Sequence, residues 1–358
     1  MHRPDFTGRS PRSGRFAKCL KKTGFMNRTE ILEYLQTADR ARVQELFARA
    51  DETRRQYCGD GILMRGIVEF SSRCQGSCAY CGLNKNNKNN PRYQMSAAEI
   101  IDAAQMIYAG GIQTIVLQSG EDPELDPEWL AGIVRAVKEK FQLSITLSAG
   151  EKSKDIYRLW REAGADRYLL KIETTDAALY RRLHPGMSFA NRLRCLDDLQ
   201  ELGYQTGSGI IVGLPGQTPE ILAGDVLFFQ DRDFDMIGLG PLIPHQATAL
   251  RDLPKGSVDL TLRCVALTRL LTKNAHLPAT TALGSLDRDY RLDGLKAGAN
   301  VLMPNFTPLA YKKNYEIYPG KRCVSEPTGQ CALCMAPLAE SIGRRVDFSR
   351  GDSLKKLV

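Results

Sequence analysis

The spacing of apolar residues along this chain changes near residue 60. Before it, residues 26–59 read as helices: Met26, itself a plausible start position, precedes NRTEILEYL, a helix start with Asn27 or Thr29 as its cap. After it, short apolar runs rich in β-branched residues alternate with amphipathic stretches. Strands are expected at 63–71 (LMRGIVEFS), 112–119 (IQTIVLQS), 143–149 (LSITLSA), 167–173 (RYLLKIE), 204–213, 236–243, 277–283 and 299–305. Helices are expected at 96–110, 127–141, 153–164, 175–183 or 188–202, 218–231, 259–273 and 288–297. Four helix-to-strand junctions carry the same glycine signature, YAGGIQT, REAGADRY, QELGYQT and LKAGANV. Repeated βα units predict an α/β fold with a parallel sheet. Eight of them over residues 60–305 predict a complete (β/α)8 TIM-type barrel. An open doubly wound sheet is the alternative, but no GxGxxG follows a strand. Residues 306–358 break the alternation and form a short C-terminal extension with one further helix, 335–343.

Charge changes the picture only at one end. The chain has a formal net charge of +8, and residues 1–25 hold seven Lys/Arg against one acid, which leaves about two positive charges for the rest. The basicity is that of a tail rich in Arg, Gly, Ser and Pro, expected to be disordered, and not of a nucleic-acid face. The segment lacks the apolar core of a secretory signal, and no run of ~18 apolar residues suggests a membrane span. A reducing, cytoplasmic setting follows, in which clustered thiols bind metal more often than they pair.

Six of the ten Cys fall into two such clusters. The first, FSSRCQGSCAYCGLNKNN, places Cys74, Cys78 and Cys81 at C-x3-C-x2-C just past the first strand. Three thiolates can hold three corners of a 4Fe–4S cubane and leave one iron open for a ligand. A structural zinc site or plain buried thiols are the alternatives; zinc would need a fourth ligand from elsewhere. In a barrel, chemistry gathers at the C-terminal strand ends. Ser119 in LQSGEDP, Ser148 in LSAGE, Glu173 in KIETTD, and Thr280, Thr281 and Met303 at the last two strand ends are the candidates there. Glu121 could equally be a solvated turn residue. Arg192, in ANRLRCL, can hold a carboxylate with two hydrogen bonds, and GSGIIVGLPGQT (207–218) offers glycines for close approach of a ligand. The second cluster, Cys323, Cys331 and Cys334, reads C-x7-C-x2-C and suits a second Fe–S cluster or an incidental zinc. His184 and His245 stand beside Pro in loops, without a ligand partner at suitable spacing.

The C-x3-C-x2-C loop with Tyr80 before its last Cys resembles the radical S-adenosylmethionine (SAM) superfamily. The resemblance implies an open iron that chelates SAM, one-electron cleavage to a 5′-deoxyadenosyl radical, and an external electron donor such as a ferredoxin or flavodoxin. It also implies Tyr80 and Ser119 beside SAM. The segments CAYCGLNKNNKN, TIVLQSGEDP, AGADRYLLKIETTD, ANRLRCL, VGLPGQT, FDMIGLGPLIPH, PATTALG and ANVLMPNFTP are similar to the FeFe-hydrogenase maturase HydE family over residues 26–345. That resemblance places Ser148, Glu173 and Arg192 near SAM. It places Arg167, Lys171, Thr280, Thr281 and Met303 around an inner cavity for a small organometallic or amino-acid-derived substrate. It implies a role in building the diiron subcluster of the hydrogenase, on a precursor from HydG and with delivery to HydF, and a dispensable second cluster at the C-terminus. The neighbouring reading is a small-molecule enzyme of the methylornithine synthase or biotin synthase kind. One departure stands out: Lys171-Ile172-Glu173-Thr174 replaces the Arg-His-Glu-Thr of some members. Lys is a point charge, not a planar fork, so the cavity's anion site is expected to differ.

Overall fold

The computed structural model describes residues 26–322, 324–328 and 330–355; the basic segment 1–25 lies outside them. Two helices come first, α1 (Arg28–Gln36) and α2 (Arg40–Cys58). Of the two candidate caps, Asn27 does the work: its side chain accepts from Glu30 N while the Glu30 carboxylate accepts from Asn27 N, a reciprocal box that satisfies two otherwise orphaned donors. Both helices bury an apolar stripe, with Ile31, Leu46 and Ala50 fully enclosed.

The alternation then runs β1 (Gly61–Met64), β2 (Gly66–Ser71), α3 (Ala97–Ala109), β3 (Thr114–Ser119), α4 (Pro127–Phe141), β4 (Ser144–Ser148), α5 (Lys154–Glu162) and β5 (Arg167–Leu169). It continues with α6 (Ala177–Leu183), α7 (Phe189–Glu201), β6 (Gln205–Val212), α8 (Pro219–Arg232), β7 (Met236–Pro241) and α9 (Val258–Thr272). Last come α10 (Thr281–Gly284), α11 (Arg291–Lys296), β8 (Val301–Leu302), α12 (Leu309–Lys312), α13 (Gln330–Glu340) and β9 (Arg345–Asp347). Both helices posed as alternatives, 175–183 and 188–202, exist as α6 and α7. At the four junction motifs Gly111, Gly164, Gly203 and Gly298 all take positive φ, which lets each helix end and the chain turn into a strand. None of the described helices is long and apolar enough to cross a membrane.

The strands form a six-stranded parallel sheet in sequential order β2-β3-β4-β5-β6-β7 and a three-stranded parallel sheet β8-β1-β9. Single parallel bridges join them: Met236 with His276, Pro278 with Val301, and Ile67 with Asn305. Four strand expectations change, among them 167–173, which is a strand only over Arg167–Leu169 with a single bridge from Glu173 to Ile210. The run 63–71 divides at Arg65, so that β1 pairs with β8 and β9 while β2 pairs with β3. Gly66 marks the division; a Cβ there would lie 2.6 Å from Ile107, so only glycine lets α3 pack this close. The runs 277–283 and 299–305 shrink to bridges and the two-residue β8, because Pro278 and Pro304 have no N–H for a ladder. Thr281 begins α10 instead of ending a strand. β9, too short to be seen in the sequence, returns the C-terminal segment to β1.

The core lies between sheet and helices. Trp160 is fully buried, stacked 6.3 Å from Tyr168, with its Nε1 donating to Pro127 O at 2.9 Å. On the other face, β6 and β7 present Gly207, Gly209, Gly238 and Gly240 at alternate positions. The space they leave is taken up by Lys171 beside Gly209 and Thr280 beside Gly240.

Candidate active site

The cysteine loop leaves β2 and is tied down on every side. Gln75 N donates to Glu121 O at 2.7 Å, Ala79 N to Leu183 O at 2.8 Å, and Gly82 N to Ile317 O at 2.9 Å. Gly120, at the end of β3, is forced by this packing: a Cβ there would sit 2.3 Å from Arg73 O and 2.7 Å from Cys74 Cβ. A Cβ on Gly76 would lie 3.4 Å from Cys74 Sγ and 3.5 Å from Cys78 Sγ, so the first two thiols flank one peptide. The three thiols are half-buried, edging an opening while protein surrounds them. Burial, then the neighbouring thiol charge, pushes Cys78 up to about 12 and Cys81 higher still. Burial also raises Cys74. Such thiols stay protonated at neutral pH unless a cation draws off the proton, which is what coordination to iron does. Among the described residues no three His, Cys, Asp or Glu side chains converge on a single-ion point. Thiolates on a cubane each take a different iron and need no such point.

Tyr80 projects from this loop to His184. The phenol oxygen lies 2.9 Å from His184 Nε2, and His184 Nδ1 lies 3.0 Å from Tyr180 O. A carbonyl can only accept, so Nδ1 carries the proton and Nε2 accepts from Tyr80. Burial lowers His184 to about 4, which keeps it neutral. No spacing in the sequence points to this role.

Around the loop the strand ends converge. Ser119 stands in register with Ser71, beside the cysteines, and donates to Gly120 O at 2.9 Å. Ser148 ends β4, opposite Gln118. Glu173 has φ 64°, a costly conformation for a non-glycine residue that clusters at functional sites. It is locked there by Glu173 N donating to Gly209 O and Ile211 N donating to Glu173 O. Its Oε2 is 2.9 Å from Lys171 Nζ, but the ammonium is not aligned to donate, so this buried oxygen has no hydrogen bond. Lys171 and the positive-φ backbone thus fix this carboxylate beside the thiols. Arg192 is buried, with Nε donating to Glu151 Oε1 at 2.6 Å and Nη1 donating to Lys171 O. Burial opposes its charge, yet Tyr180, Glu151 and Glu121 outweigh it.

Glu151 was missed, although it stands in the LSAGE motif that singled out Ser148. Glu121 is no solvated turn residue: it accepts from Glu151 N at 2.7 Å, lies 3.9 Å from Lys152 Nζ, and is raised by burial. Ile172 is fully buried and packs into the apolar core. The Ile-for-His departure therefore leaves the glycine-lined face unchanged, and Lys171 alone alters it. Lys171 occupies space that Gly209 frees, its Cε 2.9 Å from a Cβ placed on that glycine. Thr280 donates to Leu239 O at 3.1 Å and sits against Gly240; Thr281 and Met303 are half-buried nearby in sequence. Arg167 is not brought to this group. It begins β5, at the opposite strand end, where its guanidinium donates to Thr114, Gln205, Arg350 O, Gly351 O and Asp352. Of the second cluster, Cys323 lies outside the described residues, as do the side chains of Cys331 and Cys334; the backbone of the latter two belongs to α13.

Asp225 on α8, fully buried, joins two of these motifs. It accepts from Thr175 N and Thr175 Oγ1, both at 2.6 Å, and from Gln217 Nε2 at 3.4 Å. The segment after Glu173 is thus fastened to the GLPGQT loop. Burial raises Asp225 to about 6. The folded protein therefore holds this proton more tightly than the unfolded chain, and the group's contribution falls as pH rises from about 4 to about 6. Asp225→Asn should remove that slope, on the order of 2–3 kcal/mol across the window. Urea unfolding at pH 4.5 and pH 7 checks it; equal pH dependence in both proteins would contradict the assignment.

A model of the radical SAM superfamily matches residues 68–228. Over 318 residues the chain is 48% identical to the [FeFe] hydrogenase maturase subunit HydE of Thermotoga maritima, covering 89% of this chain and 91% of that one. It is 29% identical over 279 residues to 3-methylornithine synthase of Methanosarcina acetivorans, 76% of this chain and 79% of that one. The crystal structure of methylornithine synthase superposes with a TM-score of 0.79 at 24% identity, covering 92% of this chain and 96% of that one, which establishes the shared fold alone.

Proposed function

Since the chain belongs to the HydE family of radical SAM enzymes, we propose that it holds a 4Fe–4S cluster on Cys74, Cys78 and Cys81, binds SAM at the strand ends, and acts in assembling the diiron subcluster of FeFe hydrogenase. The observation that carries this is the meeting of three loop thiols with the Glu173 carboxylate, paired with Lys171, and the fixed Arg192 guanidinium. When bound, the reduced cluster supplies the electron that cleaves SAM to a 5′-deoxyadenosyl radical.

The chain's own residues select and orient. Arg192, held by Glu151, offers a positioned cation to a carboxylate. The Glu173 carboxylate, beside Lys171, suits a ribose hydroxyl or an ammonium. Ser119 and Ser148 add hydroxyls at neighbouring strand ends. Tyr80, fixed by His184, and Leu214 belong to one small apolar cluster that suits an adenine ring and excludes water. Beneath them, Lys171, Thr280, Thr281 and Met303 border the glycine-lined face, which takes a small organometallic or amino-acid-derived substrate. The eight-membered (β/α)8 ring is complete on this reading, the single bridges at His276, Pro278 and Asn305 standing for its last two strands. Cys323, Cys331 and Cys334 carry a second, non-catalytic Fe–S cluster. HydG-type and HydF-type maturases are the partners, upstream and downstream.

Anaerobic reconstitution with iron and sulfide should give a brown protein that forms 5′-deoxyadenosine from SAM under reduction. A maturation extract lacking this chain should then yield hydrogenase without its diiron subcluster. A colourless protein inert to SAM would sink the enzymatic reading, and active hydrogenase from the depleted extract would sink the maturation role.

A further inference from the structure

Residues 70–98 contain four basic residues, Arg73, Lys85, Lys88 and Arg92, and no acidic one. The middle of this stretch, GLNKNNKNNP (82–91), follows the last cluster cysteine directly. Its asparagines turn inward. Asn84 Nδ2 donates to Cys81 O at 2.7 Å and Asn87 Nδ2 to Gly82 O at 2.8 Å, while their oxygens accept from Asn86 N and Asn89 N. Arg92 donates to four carbonyls of the loop and its root, those of Ser72, Leu83, Asn84 and Asn87. The loop is therefore built and held, which a merely solvated connection does not require.

What the loop displays is charge. Lys85 and Lys88 are exposed, as is Lys313 on the neighbouring segment, and none has an ion-pair partner among the described residues. Beside them lies an open cavity of about 390 Å³, bordered by Asn87, Asn90, His245, Gln246 and Lys313. One acid, Glu316, also stands on its rim, its Oε2 3.5 Å from His245 Nε2. The lysines are also close to the thiols through the backbone. Lys85 N donates to Gly76 O at 2.8 Å, and Gly76 is the peptide flanked by Cys74 Sγ and Cys78 Sγ. An exposed lysine is thus one backbone hydrogen bond away from the centre of the cysteine loop.

We infer that the face formed by Lys85, Lys88, Lys313 and the cavity beside them is the docking surface for an acidic one-electron carrier protein. The inference rests on the radical SAM reading, which needs one electron per SAM cleaved. The carrier's reduced centre loses that electron and the cluster gains it; no proton or atom is transferred. A cationic face steers an acidic partner and favours its encounter at low salt. The described chain is otherwise near neutral, so the positive charge is local to this face.

The test uses reconstituted holoprotein carrying Lys85→Glu, Lys88→Glu and Lys313→Glu, with the Lys→Gln triple variant as a milder companion. These side chains are exposed and outside the site, so 5′-deoxyadenosine formation driven by dithionite should match the wild type. Formation driven by a reduced acidic ferredoxin should fall about tenfold or more. The Kd for oxidised ferredoxin should rise by a similar factor at 50 mM salt, and the difference should vanish at high salt. Ferredoxin-driven turnover and ferredoxin affinity unchanged in the Glu variant would overturn the docking surface. So would loss of RNA binding with carrier-driven turnover intact. Failure of the wild type to cleave SAM with dithionite would instead overturn the radical SAM reading, and the ferredoxin titration would then decide the surface by itself.

Discussion

Cys81→Ala should reduce SAM cleavage to background while leaving the fold intact. Two thiolates cannot hold a cubane in a loop whose three anchors are each set by separate contacts, and Cys81 is the thiol most strongly raised by burial and by its two neighbours. Loss of one sulfur does not remove core packing: the loop remains fixed by Gly82 N to Ile317 O, Asn84 to Cys81 O, and Arg92. The far-ultraviolet circular dichroism and thermal midpoint of the unreconstituted variant should therefore match the wild type. After reconstitution the variant should lack the 4Fe–4S spectrum contributed by this site and form no 5′-deoxyadenosine. Cys331→Ala is the control from the other cluster. Its position on α13, in a part of the chain that gives no residue to the strand ends, predicts nearly unchanged SAM cleavage. Activity surviving in Cys81→Ala, or lost entirely in Cys331→Ala, would reverse the assignment of the two clusters.

The parts of this site that could be read from the sequence are those whose chemistry is local. C-x3-C-x2-C declares itself within eight residues, and the strand-end rule picks out Ser119, Ser148 and Glu173 because the alternation of strands and helices fixes where each strand stops. Arg192 was legible as a cation but not in its partner, since Glu151 lies 41 residues away. His184 meets Tyr80 across 104 residues and Asp225 meets Thr175 across 50, and no spacing rule links such pairs. Arg167 and Lys171 illustrate a different failure. Both lie on one face of one predicted strand, yet their separation along it takes them to opposite ends of the fold. From Asn27 to Pro241 the fold itself is legible, except at Arg65, where one expected strand divides, and at 170–173, where another ends early. The last two strands are shorter than their apolar, β-branched runs suggest, because Pro278 and Pro304 break the ladder.

Glu69→Gln should destabilise the folded protein by about 3–5 kcal/mol, because it leaves a buried ammonium without its counter-charge. Glu69 on β2 and Lys321 in the C-terminal extension form an ion pair with side chains 3% and 5% exposed. The second Glu69 oxygen accepts from Asn305 Nδ2 at 3.1 Å, and the Lys321 ammonium lies 5.0 Å from the Tyr315 ring centre and donates to Tyr315 O at 3.3 Å. Every polar atom of the pair is thus engaged, and removing the negative member strands the other. The thermal midpoint of the unreconstituted protein should fall by roughly 10 °C. Glu69→Leu combined with Lys321→Met should recover most of that loss, since a buried pair replaced by apolar groups of similar size costs little. The pair also bears on the site. It anchors the segment 315–321, whose Ile317 O receives the hydrogen bond from Gly82 N beside Cys81. Glu69→Gln should accordingly release reconstituted iron faster than the wild type under chelator challenge, and the double variant should hold it more firmly than the single one. A drop below about 1 kcal/mol in Glu69→Gln, or a double variant no more stable than the single, would show that the pair does not act as a buried ionic contact. Unequal results, with stability restored but iron release still fast, would locate the effect in the orientation of the 315–321 segment, which the apolar pair fills without fixing.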